Sequence, residues 1–534
     1  MAIFANAFNW FTSGLPPVNP WGPLGGAAVP SGLEAGSMRR RMAVWQPASQ
    51  HVNALMREAG PTIVARARHL VRNNGYAKAA LRSWSAATVG AGIKPSSLIP
   101  DRPLRAAVQL AFAAWTDEAD AEEVTDFYGL TRRVAREAFL AGECFVRFRP
   151  RFPQDGLVIP LQLQLLPTEQ LPSSRLEVVP EGQNNAGGEI RMGIEFDRNV
   201  RDRRVAYWFY RSNPTDPTIT FNDALMRRQL TRVPASEVIH VFDPVEAGQL
   251  RGLTGYAAAL VKLFQLDVYD DAELERNKQQ ARYATFIEKP ESLDGEGNPL
   301  EPRPEDDPAV YGPGASVELY PGEKVQFSNP GGSGGGYEPF QFRTLLQLCA
   351  ALGIPYAELS ADLTKTSYAS SRAGLLAFRT EVEAFQHAVL VFQFLRKVWV
   401  RWLDTAVLAG AVPITAAQYT AQPGVYRAMQ AITPRAPWVD PLKDRQAVKL
   451  AMDMQVMAPQ DAIEAEGYDI ETVYRRIAEA EALRKQYGIE APKPGIAKSG
   501  GAQGSGATGD DPERKPKDDD DDERPDDKPE EEAA

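Results

Sequence analysis

The sequence predicts an α+β fold that is predominantly helical, and three stretches carry that expectation. From Gly374 to Leu408, the apolar residues Leu375, Phe378, Val382, Phe385, Val389, Phe392 and Trp399 recur at steps of three, four or seven with no proline between them. That is the helical period. From Tyr256 to Tyr283 a second long run starts apolar and ends charged. Between Leu161 and Val241, by contrast, LQLQLLP, MGIEFD and VAYWFY alternate apolar with polar between Gly/Asn/Pro-rich breaks, the mark of short strands.

The chain opens with residues 1–60, rich in Pro, Gly, Ala and aromatics (Trp10, Phe11, Trp21, Trp45) and without a sustained period. An arm docked on a neighbour and plain disorder are both open. Arg39, Arg40 and Arg41 are either a solvated patch or a nucleic-acid contact. A helical region starts near Pro61, and a helix pair follows with Leu104–Trp115 and Leu130–Leu140 as its apolar stripes. Gly142 and Glu143 then precede an alternating strand from Phe145 to Arg149.

In the run from Tyr256, Asp267, Asp270, Asp271, Glu273 and Glu275 accumulate towards the C-terminal half. They suggest either a divalent-metal site or, more simply, a helix whose charged end leaves the core. Residues 286–340 hold Pro/Gly-rich loops with strand fragments, and the GGSGGG at 331–336 lacks the Lys-Ser/Thr of a phosphate loop. An amphipathic run from Gln341 ends near Gly353-Ile354-Pro355, where proline disfavours helix at the preceding residue. At about 1.5 Å per residue, the run from Gly374 then reaches roughly 52 Å, long for one domain. Its stripe is expected to need a partner of equal length, with a neighbouring copy of the chain as the candidate. Short helices follow at Gln446–Met457, Pro459–Glu466 and Glu471–Gly488, and beyond Ile489 the composition cannot bury a core.

With 534 residues and 43% hydrophobic content, the chain can bury a large core in more than one region. The last 25 residues hold 14 acidic and 5 basic side chains, so −9 of the net −11 lies there and the rest carries only −2. A general DNA-gripping surface shows a positive excess instead. Near-neutrality suits a channel that DNA slides through, and equally no DNA contact at all. Cys144 and Cys349 lie far apart in apolar runs, and the four histidines are dispersed, so neither a disulfide framework nor a metal centre is expected. The N-terminus lacks a basic n-region, and HAVLVFQFLRKVWVRWL is interrupted by charge. No signal peptide, spanning helix or membrane partner is expected, and the chain is read as intracellular when made. Glu143 has no second carboxylate beside it and His240 no nucleophile motif near it, so both are read as structural.

The segment Asp362-Leu363-Thr364 through Ser367-Tyr368-Ala369-Ser370-Ser371-Arg372 resembles the D-x-S/T…Y-S-S-x-R signature of lambda-type phage portal proteins, with Ala369 where the pattern has Ser. Four further motifs resemble the same family in order. They are Arg66, Arg68, Leu70, Arg72, Asn73 and Asn74 with Val89, Gly90, Gly92, Ile93 and Pro95; Gly193, Ile194, Glu195, Ala206 and Tyr207; Arg232–Ala235, Ile239, His240, Gly248, Gln249, Arg251 and Gly252; and Trp438-Val439-Asp440-Pro441-Leu442-Lys443. Read alone, the first group of arginines is one exposed basic face.

The resemblance implies a portal-type fold assembled as a dodecameric ring with a central channel at a capsid vertex. Its parts would be an arm (1–60), a mixed α/β wing (61–255), an outgoing stem helix (256–285), a clip (286–340) and a returning stem helix (341–360). A channel loop (361–373), a long wing helix and connection (374–433), a crown (434–488) and a disordered acidic tail (489–534) complete it. It implies no enzymatic step, cofactor, catalytic residue or metal. The partners it implies are other copies, double-stranded DNA, the terminase large subunit, head–tail connector proteins, and capsid and scaffold proteins. The location would be the virion, after assembly in the host cytoplasm. The candidate DNA-channel residues are Thr364, Lys365, Thr366, Ser367, Tyr368 and Arg372, with Lys365 either a phosphate contact or a cation facing water. The alternatives are another head–tail adaptor ring and a packaging ATPase or nuclease.

Overall fold

The computed structural model describes residues 49–178, 188–218, 229–282, 286–288, 324–326, 336–365, 367–434 and 441–489. The N-terminal arm to residue 48, most of the expected clip, Thr366, Trp438–Asp440 and the acidic tail lie outside them. The fold is α+β and predominantly helical.

The first helices are α1 (Val52–Asn73) and α2 (Gly75–Thr88). They meet at the buried Asn74, whose extended backbone ends α1 while its side chain accepts from Ala77 N to cap α2. Helix was expected only from Pro61, but α1 begins nine residues earlier with that proline inside it. Its buried face, Val52, Met56, Gly60, Val64, Ala67 and Leu70, has the helical step. A glycine before a proline hides that step in the sequence.

Next come β1 (Lys94–Ser97), α3 (Arg102–Thr116), α4 (Phe127–Leu140), β2 (Glu143–Pro150) and β3 (Leu161–Pro167). The strands β4 (Leu176–Val178), β5 (Glu189–Arg191), β6 (Ile194–Phe196), β7 (Arg204–Tyr210) and β8 (Leu230–Pro234) form one antiparallel sheet in that order. Strand β9 (Val238–Phe242) joins β2 and β3 in a second antiparallel sheet, ordered β3-β2-β9. Because side chains alternate along a strand, β2 serves two cores. Cys144, Val146 and Phe148 pack with the helices, while Phe145 packs against Tyr207, Phe209, Val233 and Ile194 of the five-stranded sheet.

Helix α5 spans Leu260–Arg282 and starts four residues later than expected. The chain before it is pinned in turns: Gly255 N donates to Phe139 O (2.9 Å), the Thr254 hydroxyl to Leu140 O (2.7 Å) and Tyr256 Oη to Ala77 O (2.7 Å). Strands β10 (Phe286–Glu288) and β11 (Lys324–Gln326) pair antiparallel. Helix α6 (Tyr337–Leu352) packs beside α5, with Tyr269 against Tyr337 and Phe340. Helix α6 ends where the sequence places its end, at Gly353, whose left-handed φ of 66° caps it; the short α7 (Tyr356–Ser360) follows, so the stretch 341–360 assigned to the returning stem holds two helices.

The long rod comprises α8 (Tyr368–Phe385), a π-helical segment (Gln386–Leu395) and α9 (Arg396–Leu408). Two expectations for it are corrected. Its stripe was assigned to a neighbouring copy, but Phe378, Val382, Phe385, Val389, Leu390, Phe394, Val398, Trp399 and Trp402 are buried within this chain. Trp84 meets Phe385 at 5.2 Å and Phe378 at 6.2 Å, and Phe112 meets Trp402 at 4.9 Å and Trp399 at 5.2 Å. Helices α2, α3 and α4 are the cover the rod needs. Phe392 was placed on the stripe but is 58% exposed, because the wider π turn advances the buried positions from Val389–Leu390 to Phe394–Leu395. In the same segment Gln386 Nε2 donates to Thr88 O, and the Gln393 amide bonds both N and O of Phe242, closing the outer edge of β9.

Helices α10 (Ala416–Ala421) and α11 (Pro423–Arg427) lead to β12 (Met429–Ile432), which pairs with β1. Then come α12 (Pro441–Asp453), α13 (Pro459–Ala465) and α14 (Ile470–Gln486). The residues to Val473 form one compact unit, and those from Tyr474 a second.

The rod's aromatic cluster supplies a differential test. Trp115 and Trp402 are both buried, but only Trp115 Nε1 has an acceptor, Leu161 O at 2.8 Å, whereas Trp402 Nε1 has none. Either tryptophan changed to Ala is expected to cost about 3–5 kcal/mol. Trp402→Phe should lower the melting midpoint less than Trp115→Phe, because it removes a buried donor that lacks a partner. Equal losses in thermal denaturation would contradict this.

Candidate functional site

The loop between α7 and α8 was expected to run from 361 to 373 as a hydroxyl-rich, exchangeable surface. It is shorter: α8 already begins at Tyr368, so Arg372 sits in the helix. Its polar side chains are engaged with one another. Asp362 Oδ1 accepts from the backbone N of Thr364 (2.8 Å) and from its hydroxyl (2.6 Å), a side-chain-closed turn. Those bonds hold the Asp362 carboxyl below its usual range, aided by Tyr356 and Lys365. Ser367 caps α8, accepting from Ser370 N, while Ser370 Oγ accepts from Ser367 N in a capping box. Lys365 Nζ lies 2.6 Å from Glu338 Oε1 on α6, an exposed pair; the hydrogen bond and charge of Glu338 raise its pKa. Arg372 Nη2 is 3.3 Å from Asp444 Oδ1 on α12. The described part of the loop therefore presents hydroxyls and one compensated cation, and its motif residues Asp362, Thr364, Ser367 and Ser370 shape the backbone. Thr366 is outside the described residues.

The more tightly built polar cluster was not assembled by sequence spacing. Glu143 opens β2, His240 lies opposite Phe145 on β9, and Arg251 follows from the loop after β9. All three are buried. Glu143 Oε1 accepts from Arg251 Nε (2.7 Å) and the Thr168 hydroxyl (2.5 Å), with Arg251 Nη2 2.6 Å away in the ion pair. Its Oε2 accepts from His240 Nε2 (2.8 Å) and Gly252 N (2.9 Å). Arg251 also donates to Met192 O and Thr168 O. Such closeness requires glycines on both sides. Gly142 has φ +88°, and a Cβ on it would stand 2.3 Å from Leu253 C; one on Gly252 would stand 2.1 Å from Gly142 O.

The electrostatics follow from donor geometry. Arg204 Nη1 lies 2.8 Å from His240 Nδ1, and a guanidinium only donates. Nδ1 must therefore be the lone-pair nitrogen, and Nε2–H donates to Glu143. A second proton on the ring would face Arg204, and burial already disfavours it, so the His240 pKa is pushed down to about 4 against the pull of Glu143. Burial also pushes the Glu143 carboxyl up, but the charge of Arg251 and the hydrogen bonds of His240 and Arg251 outweigh it and hold it well below the usual range. The counter-charge of Glu143 is thus Arg251, with His240 a neutral donor. Both ring nitrogens are occupied, so the arrangement ties β2, β9, the turn at Thr168 and the 251–252 loop together and presents no free base.

Other expectations resolve similarly. Arg68, read as part of an exposed basic face, is half-buried between Glu137 (2.8 Å) and Glu169 (2.6 Å), whose bonds outweigh the burial that works against its charge. The acids of α5 are dispersed: Asp267 accepts from Asn74, Asp270 from Tyr337 and Glu273 from Arg276. Among the described residues no group of three or more His, Cys, Asp or Glu could hold a metal ion, and no helix is long and apolar enough to cross a membrane.

The family described as "Phage portal protein, lambda family" matches residues 38–386. The probable portal protein of Halomonas phage phiHAP-1 is 25% identical over 461 residues, covering 81% of this chain and 82% of that one. Portal protein B of Escherichia phage lambda is 26% identical over 373 residues, 62% of this chain and 66% of its own. The portal protein of Escherichia phage N15 is 24% identical over 372 residues, with the same two shares. Among solved structures, the neck of a native GTA particle computed with C12 symmetry aligns with a TM-score of 0.42 and 14% identity, covering 77% of this chain and 96% of that one. The virion of a native gene transfer agent particle gives a TM-score of 0.40 at 14% identity, covering 78% and 94%.

The buried network lies inside the matched span and titrates in a definite direction. A histidine held at about 4 against an unfolded value near 6.5 contributes stability that is complete above pH 6.5. That contribution is lost as the pH falls towards 4, by about 2 kcal/mol at pH 5. The melting midpoint should drop between pH 7 and pH 5, and His240→Gln should flatten that drop. Glu143→Gln, which leaves the Arg251 charge buried and uncompensated, should cost about 3–5 kcal/mol at every pH. An unchanged pH profile in His240→Gln would refute the assignment.

Proposed function

The chain belongs to the lambda family of phage portal proteins, and from that premise we propose that its copies assemble into a ring, a dodecamer, around a channel for double-stranded DNA at one capsid vertex. The observation that carries this reading is the family match over residues 38–386, which spans α5, α6, the three- and five-stranded sheets and the loop after α7. In this reading the ring docks the terminase large subunit during packaging and head–tail connector proteins afterwards, contacts capsid and scaffold proteins, and ends in the virion after a cytoplasmic stage. It carries out no catalytic step.

The division into arm, wing, outgoing stem, clip, returning stem, channel loop, long wing helix, crown and tail is part of the same proposal, with α5 and α6 as the stem pair. An unpaired surface supports self-assembly. Val261, Phe264 and Val268 recur on α5 at steps of three and four and are 64%, 61% and 51% exposed. Three large apolar side chains on one helical face leave water when a partner covers them, and a ring supplies that partner as a second copy through a heterologous contact. The rod could not play this part, since its own chain covers it.

The channel loop enters as a proposal too. Thr364, Lys365, Thr366, Ser367, Tyr368 and Arg372 would face the DNA, with Lys365 exchanging Glu338 for a passing phosphate. Brief contacts of that kind suit a sliding polyanion better than a fixed cluster of uncompensated lysines.

Two measurements test these points. Mass photometry of the purified chain should give rings of about a dozen copies, and Phe264→Glu with Val268→Glu should yield small species that keep wild-type circular dichroism. Intact rings in the double variant would remove α5 from the interface, and a wild-type monomer would overturn the ring. In a packaging assay, Lys365→Ala should lower the retained DNA length while leaving ring size unchanged. Wild-type packaging by that variant would remove Lys365 from the DNA path.

A further inference from the structure

The β3-β2-β9 sheet carries a charge pattern that neither the fold nor the channel loop uses. Alternate residues of a strand share a face at a repeat of about 6.6–6.8 Å. On β2 and the residue after it, that face carries Arg147, Arg149 and Arg151 in succession. Arg151 continues the ladder, its backbone N donating to Pro160 O. All three are half-buried, and among the described residues none makes an ion pair.

Neutral glutamines orient two of them instead. Arg149 Nε and Nη2 donate to Gln164 Oε1 (2.8 and 2.5 Å), and Arg151 Nε donates to Gln162 Oε1 (2.7 Å). Gln162 is itself buried and anchored, its Nε2 donating to Glu118 O (2.9 Å) and Asp120 O (3.3 Å). Arg147 Nε is buried with no partner. An amide oxygen fixes the direction of a guanidinium without cancelling its charge, and a guanidinium has five donors, so most of each fork is unspent. Glu237 is the carboxylate that Arg149 feels, without forming an ion pair. Burial, then Arg147 and Arg151, lower the Arg149 pKa, as expected of neighbouring charges that remain unneutralised.

We propose that Arg147, Arg149 and Arg151 form a phosphate-binding strip that grips the backbone of double-stranded DNA outside the channel loop. Three planar forks carried at the regular repeat of one strand face fit a chain of regularly spaced phosphates, which guanidinium recognises in a bidentate way. The rest of the chain body is close to neutral, so the contact is local and not a general field. The choice of DNA over an acidic protein rests on the portal reading above, in which DNA is the polyanion the assembly handles.

The test uses the full chain and a short fluorescein-labelled duplex, followed by anisotropy between about 50 and 200 mM salt. Each lost phosphate contact should flatten the log–log salt slope by about 0.9. The triple variant Arg147→Gln, Arg149→Gln, Arg151→Gln should therefore lose roughly 3 units of slope and at least about tenfold in affinity. Arg57→Gln, at an exposed arginine elsewhere, should change neither. If the triple variant does not fold, Arg147→Gln alone removes no protein hydrogen bond of that Nε and should lose about 1 unit. Wild-type slope and affinity in a folded variant overturn the strip. So does poly-aspartate binding that needs the arginines while duplex binding does not, since an acidic protein would then be the occupant. Particle size is read in parallel. A ring that fails to bind DNA defeats the strip alone, and a monomer that binds through these arginines defeats the ring alone.

Discussion

The structure depends on one carboxylate that cannot be left alone. Glu143 sits at the start of β2, out of water, and four donors converge on its two oxygens, one each from Arg251, Thr168, His240 and Gly252, inside an ion pair with Arg251. A buried ion pair of this kind adds little net stability over apolar residues of equal volume, but breaking it strands a charge. Its value is positional. Strand β2 packs the helices on one face and the five-stranded sheet on the other. A clamp at its first residue fixes the register of both cores at once, as the glycines that let the 142 and 252 backbones touch also do.

Much of the fold was legible because period survives in sequence. The helices around Phe112, Val134 and Trp399 and the strands around Leu163 and Tyr207 lie where the three- to four-residue and two-residue periods put them. What stayed hidden is non-local or non-periodic. No spacing brings Glu143, His240 and Arg251 together across about 100 residues, though His240, Arg251 and Gly252 were each conspicuous as motif members. Arg68 looked like a surface cation because its carboxylates, Glu137 and Glu169, sit on other elements. Phe392 was misplaced because a π turn changes the period without changing the composition. The cover of the rod was assigned to another molecule because a one-dimensional reading sees an apolar stripe and cannot see that α2, α3 and α4 fold back over it.

The loop after α7 shows what its signature residues do. Asp362 closes a turn on Thr364, and Ser367 and Ser370 cap a helix. Both are backbone-shaping tasks that short hydroxyl and carboxylate side chains perform anywhere. The D-x-T and S-x-x-S elements are therefore strong indicators of how the chain folds there, and weak indicators of what the loop touches. Family membership by these motifs is in the first place a statement about the start of α8.

That distinction bears on the proposed contacts with a polyanion. Contacts with a moving duplex have to be weak and replaceable, and Lys365, exposed and paired with the exposed Glu338, has that character. Contacts with a stationary duplex have to be strong and cumulative. Arg149 and Arg151 have the opposite character to Lys365: their orientation is fixed in advance by glutamine oxygens, so little side-chain entropy is left to lose on binding, and among the described residues no ion pair cancels their charge. Placed on a sliding path, such forks would have to be broken at every step, and they would brake the motion they were meant to permit. On the proposed reading, passage falls to Lys365 in the loop after α7 and retention to the arginines of β2, so the two demands are met by different elements.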